Sequence, residues 1–182
     1  MLGSVELVGP QLAGLAEALR MPVMAEAPPD VGSAGGGGTE GLAAALVAMA
    51  ATVYELNTQA HLIHFNVQGP GFFELHAFFK GQYEKHIEQF DVLSELVRSL
   101  DYFMPLCSCG LKEAVSCFEH IKSSNCRDML MTYLKNLEAF GMAAKELEKM
   151  AQQECAPDVA NYAAELVGAA FKDAWMVKSY LR

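Results

Sequence analysis

Between Leu42 and Val67 the apolar residues Leu42, Leu46, Met49, Val53, Leu56, Ala60, Ile63 and Val67 follow one another in alternating steps of four and three. A strand would need a step of two. Alternating four and three is the seam of a helix packed inside a bundle. No other feature of the chain narrows its fold as much. Gly69-Pro70-Gly71 stops this helix, and a second helical rhythm starts at once: Phe72, Leu75, Phe79, Tyr83, Ile87, Phe90, Leu93, Val97 and Leu100 fall mostly on one side.

After Asp101-Tyr102 the run MPLCSCG breaks the pattern, and a short helix is expected at roughly 112–119 within this connection. Asn125 is placed to cap a third long helix with Met129, Leu130, Tyr133, Leu137, Phe140, Met142 and Leu147 inward. Ala156-Pro157-Asp158 then turns the chain into a fourth helix carrying Tyr162, Leu166, Ala169, Trp175 and Tyr180. The expected fold is all-α: a four-helix bundle with a short extra helix between helices 2 and 3. Composition agrees, since Ala and Leu are prominent while Ile is sparse.

The 182 residues suffice for one domain with a full core. Residues 1–38 read as a separate Gly/Ala/Pro-rich extension ending in GSAGGGG, a flexible linker. Within it, PQLAGLAEALR has the pattern of a short amphipathic helix, either a docking segment or part of a mobile tail. The domain proper spans 39–182. No secretory signal is read at the N-terminus, and no apolar run appears long enough to cross a bilayer, so a cytoplasmic protein without membrane contact is expected. Five cysteines, Cys107, Cys109, Cys117, Cys126 and Cys155, read as reduced thiols. The spacing of Cys107, Cys109 and Cys117 matches no common zinc pattern.

The net charge is −9, and the extension carries Glu6, Glu17, Glu26 and Asp30 against Arg20 alone. Nucleic-acid binders neutralise phosphates with basic patches or arms, so direct DNA binding through the tail is not expected.

His64 lies six residues before Pro70 and His76 six after it. In an antiparallel helical hairpin those positions face each other, so one chain can bring both imidazoles together. His61, one turn before His64, is an auxiliary candidate. Asp91 and Glu95 share a helix face, yet fifteen residues separate His76 from Asp91, about 22 Å along a helix. A second copy solves this. An antiparallel pairing that sets His76 opposite Glu95 also sets Lys80 opposite Asp91, because both pairs are centred between Lys85 and His86.

HFNVQGPGFFELH followed by DVLSE resembles the signature of the Dps family, the mini-ferritins, and the similarity extends from about residue 40 to the C-terminus. The resemblance implies a ferritin-like bundle assembled from two-fold dimers into a dodecameric cage. It implies an intersubunit ferroxidase centre with His64 and His76 from one subunit and Asp91 and Glu95 from its neighbour. Fe²⁺ would be oxidised there, typically by hydrogen peroxide, and stored as ferric mineral in protection against oxidative stress. Zinc is an alternative occupant. No Glu-x-x-His occurs, so the larger-ferritin pattern is not met.

Three features depart from the family. Lys80 stands where an aspartate ligand is common. A protonated ammonium offers donors only, so an ion pair with Asp91 of the neighbour is expected, leaving either a modified iron site or a shell with lost or impaired activity. Phe65 replaces a tryptophan common beside the first histidine, with Tyr54 and Tyr83 as candidate substitutes. Lastly, the extension is acidic where DNA-binding members carry lysines. Twelve copies would total about −108, which repels phosphate unless cations bridge the two. A tail-directed scaffold is a weaker third reading.

Overall fold

The computed structural model describes residues 38–115 and 117–182. Residues 1–37 of the extension, with its candidate helix, lie outside the described residues, and Gly38, expected as its last residue, opens the first helix. Five helices follow in order: α1 (Gly38–Asn66), α2 (Phe72–Ser99), the short α3 (Ser108–Ala114), α4 (Cys126–Gln153) and α5 (Pro157–Leu181). α1 and α2 form one antiparallel hairpin, α4 and α5 a second, and α1 meets α4 to join them. α3 packs on α1.

Every residue of the α1 seam is buried, from Leu42 through Val67. The helix is long and apolar enough to cross a membrane by length and composition, contrary to expectation. Its seam, however, is the inner wall of the core, packed with Phe79, Leu93, Tyr133, Phe140 and Leu166. Its outer side adds two more apolar groups, Leu62 at 55% and Phe65 at 72% exposure. A helix apolar on opposite sides has two surfaces to bury.

The turns are local consequences of sequence. Gly69 adopts φ 103, a left-handed conformation that glycine enters without steric cost. The Phe72 amide then donates to the Gly69 carbonyl at 3.1 Å, closing the hairpin. Asn125 caps α4 as expected, its side chain accepting from the Asp128 amide at 3.3 Å. Pro157 opens α5 at a position where its missing N–H costs nothing. Within the second hairpin a Cβ on Gly141 would lie 3.0 Å from the Phe171 ring, so glycine lets α4 approach α5 closely.

Several expectations are corrected. The short helix ends at Ala114 instead of running to 119, and the chain from 117 to 125 is not helical. A side-chain clamp supplies the reason: Asn136 donates to the Glu119 carbonyl at 2.8 Å and accepts from its amide at 2.9 Å. Gln59 also donates to that carbonyl, at 2.9 Å. These bonds claim backbone groups that a helix would use. Ile87 and Met142 point outward, 52% exposed each. Cys107 and Cys109 are joined by a disulfide rather than free, because the helical turn that begins at Ser108 between them holds their Cα atoms at 5.3 Å. Cys117, Cys126 and Cys155 remain free thiols.

Candidate metal centre

The hairpin places His64, from the last turn of α1, against His76, from the first turns of α2. Their rings stack with centroids 3.7 Å apart and planes 21° from parallel. The His64 Nδ1 lies 2.8 Å from the carbonyl oxygen of His76, and the His76 Nδ1 lies 2.9 Å from the carbonyl oxygen of His64. A carbonyl can only accept, so both Nδ1 atoms carry a proton, and in the neutral ring the lone pair is left on Nε2. The His64 carbonyl is one of those left open at the end of α1, and the bond from His76 fills it. Each histidine thus fixes the tautomer and ring direction of the other, as a backbone carbonyl does behind a metal-ligating imidazole.

Aromatic rings frame the pair. Phe72 stacks on His76 at 5.1 Å, and Phe65 meets His64 edge-on at 5.2 Å. Tyr83 lies flat on His61 at 3.6 Å and edge-on to His64 at 5.3 Å, so the auxiliary histidine is held one ring away from the pair. Tyr54 packs on Phe90 instead, at 5.8 Å.

Asp91 and Glu95 lie farther along α2 with exposed side chains. Among the described residues no three His, Cys, Asp or Glu side chains of one chain come close enough to hold a metal ion. The chain brings its histidines together and leaves its carboxylates apart from them.

The sequence matches the ferritin-like domain family over residues 43–182. It is 28% identical to the "DNA protection during starvation protein" of Helicobacter pylori over 127 residues, 68% of this chain and 86% of that one. The chain is a ferritin-like protein of the Dps family. Among solved structures it resembles Helicobacter cinaedi CAIP at 27% identity, with TM-score 0.72 over 78% of this chain and 99% of that one. A Dps homologue from Halobacterium salinarum shares 26% identity, with TM-score 0.74 over 79% of this chain and 81% of that one. The Vibrio cholerae Dps protein, described as a member of a superfamily of ferritin-like diiron-carboxylate proteins, shares the fold at TM-score 0.74, with 22% identity over 79% of this chain and 91% of that one.

In this Dps-family chain Lys80 stands one turn beyond His76 and pairs with Glu84 on its own helix. The hydrogen bond that Lys80 donates to Glu84 raises its pKa above the ordinary lysine value, desolvation opposing. Lys80 therefore keeps its charge at neutral pH and has no lone pair for a metal. The Glu84 partner was not anticipated from sequence, although the i, i+4 spacing that permits it is visible there.

Also missed was a polar cluster inside the bundle. Gln82, His86 and Gln89 of α2 face inward, with Tyr133 of α4 and Asp173 of α5. The Tyr133 hydroxyl, with a single proton to give, lies 3.1 Å from the Gln82 side-chain oxygen and 2.8 Å from the His86 Nε2. Gln82 donates to Asp173 at 3.3 Å, Lys85 pairs with the second Asp173 oxygen, and the His86 Nδ1 is 2.8 Å from the Gln89 side chain. Burial pushes the His86 pKa down to about 4, the Gln89 hydrogen bond opposing and the Lys85 charge adding to it. Burial and the Asp173 charge push Tyr133 well above its ordinary value. No buried side-chain nitrogen or oxygen among the described residues lacks a partner, so the cluster has no free donor atom for a ligand. Its signal in the sequence is positional: Leu75, Phe79, Gln82, His86, Gln89, Leu93 and Val97 continue one seam through polar residues.

Proposed function

We propose that this protein is an iron-sequestering mini-ferritin that oxidises Fe²⁺ between subunits of a dodecameric, cytoplasmic cage and stores the ferric product. The reciprocal bonds between His64 and His76 carry the reading. They hold two imidazoles with Nε2 atoms open, and among the described residues no further His, Cys, Asp or Glu side chain joins them to hold a metal ion. A second copy, packed antiparallel along α2, would bring its Asp91 and Glu95 to the pair. Leu62, Phe65, Phe73 and Ile87, all more than half exposed on the α1–α2 hairpin, supply apolar surface for such a contact.

Iron is the substrate here. Two ferrous ions give one electron each to one hydrogen peroxide, whose O–O bond breaks to yield water as protons arrive. The imidazoles would bind the entering ion without adding charge, and the neighbour's carboxylates would stabilise the higher charge of the product. With net charge −9 per chain, the assembly attracts cations and repels DNA phosphates. Zinc suits the same nitrogen–oxygen donor set and would compete with iron.

A second reading rests on Lys80. Its ammonium lies between its own Glu84 and, in the antiparallel pairing, Asp91 of the second copy. If it takes Asp91 permanently, the dimer two-fold is closed by an ion pair and the shell is structural. Ferrous oxidation by peroxide separates the two. The proposed function expects a His64→Ala, His76→Ala double variant, still assembled, to oxidise Fe²⁺ at least about 10-fold more slowly, because ligand loss exceeds the cost of disturbing outer-sphere partners. Equal rates would leave only the shell.

A further inference from the structure

The Cys107–Cys109 disulfide closes a ring over a single intervening serine. It joins no two helices. A structural cross-link stabilises by shortening a long loop in the unfolded chain, and this one shortens almost nothing. Both cysteines are exposed, so attacking thiols reach them. Of the three free thiols, Cys126 is half-buried with its pKa raised by burial, which suppresses its thiolate, while Cys117 and Cys155 are exposed.

The two sulfurs are not equivalent. The Gly110 amide donates to the Cys107 sulfur at 3.3 Å, in the first turn of α3. That hydrogen bond grows stronger when the sulfur is an anion, so Cys107 is the better leaving thiolate and Cys109 the sulfur to be attacked.

The structure assigns to Cys107 and Cys109 a redox-active dithiol–disulfide couple that exchanges two electrons with small soluble thiols. A thiolate attacks the Cys109 sulfur, the S–S bond breaks, and its electron pair leaves on Cys107, which takes up a proton. A second thiol then attacks the mixed disulfide at its non-protein sulfur. The Cys109 thiol is released, and the two small thiols leave joined as a disulfide. Two small thiols are oxidised and one protein disulfide is reduced; the reverse sequence restores the bridge. This assignment does not rest on the iron reading.

The full chain, assembled as purified, is equilibrated in glutathione buffers of graded reduced-to-oxidised ratio. It is then quenched in acid, alkylated and measured by peptide mass across 107–109. The bridged-to-reduced ratio is expected to rise about tenfold for each tenfold rise in oxidised glutathione at constant reduced glutathione, the signature of one disulfide exchanged for another. A Cys117→Ser variant should titrate identically. A Cys107→Ser variant should trap one glutathione on Cys109 that the wild-type chain sheds by closing its bridge. A bridge that persists at every ratio, or never forms, overturns the couple. Loss of the titration in Cys117→Ser overturns the pairing, and trapping that is stronger in Cys109→Ser than in Cys107→Ser overturns the order of attack.

Discussion

Two histidine sites in one chain have opposite characters. His86, inside the bundle, is 1% exposed and has both ring nitrogens engaged by Gln89 and Tyr133. His64 and His76, at the hairpin, engage one nitrogen each and leave the other open. The interior cluster is complete within one chain, with Lys85 answering the charge of Asp173. The hairpin pair gathers no carboxylate among the described residues of its own chain, and Asp91 and Glu95, the partners proposed for it, lie farther along α2. Histidine content alone therefore says little about metal binding. What distinguishes the sites is whether the surroundings consume the lone pairs or fix them outward.

The largest expected effect breaks the interior site. Asp173→Ala removes the acceptor of both Lys85 and Gln82, whose partners are then left without compensation. Unfolding in urea at fixed protein concentration should show a loss of about 4 kcal/mol. The rate of ferrous oxidation per assembled chain should stay unchanged, since no proposed ligand is touched. A rate that falls with Asp173→Ala would join the two sites that the comparison separates.

Much of this was readable beforehand and some was not. The α1 seam, the Gly69-Pro70-Gly71 turn, the Asn125 cap and the facing histidines follow from spacing, because local backbone geometry decides them. Inward-facing Gln82, His86 and Gln89 did not follow. Hydrophobicity favoured Tyr83, Ile87 and Phe90, and a polar residue belongs in a core only when a distant partner satisfies it. Those partners, Tyr133 and Asp173, are supplied by helices 47 residues or more away in the chain. The Cys107–Cys109 bond likewise depends on a backbone conformation that no periodicity announces. Asp91 and Glu95 are the converse case. Their position is plain in the sequence, while the partners proposed for them belong to another copy.

A somewhat smaller effect sharpens the interior side by pH. The folded pKa of His86 is about 4, against 6.5 for an ordinary imidazole. Between those values the unfolded chain binds the proton first. The stability contributed by neutral His86 is present above pH 6.5 and is lost as pH falls towards 4, by about 3 kcal/mol in all. A His86→Gln variant should lack that component of the pH dependence in urea titrations. An unaltered pH slope would place the titration elsewhere.

The smallest effect sharpens the outer site. Lys80→Asp replaces a charge that repels cations with a carboxylate one turn from His76. Ferrous affinity, measured by anaerobic titration calorimetry, should rise about 10-fold. No gain would mean that Lys80 does not face the bound ion.

The central claim is that one chain supplies the histidines and another the carboxylates. Mixing inactive variants tests it most directly. One partner carries His64→Ala and His76→Ala, the other Asp91→Ala and Glu95→Ala, and the two are unfolded and reassembled together in equal amounts. Half of randomly formed dimers would be mixed, each with one intact site, so peroxide-driven ferrous oxidation should return to about a quarter of the wild-type rate. A mixture no faster than either variant alone would contradict a site shared between subunits.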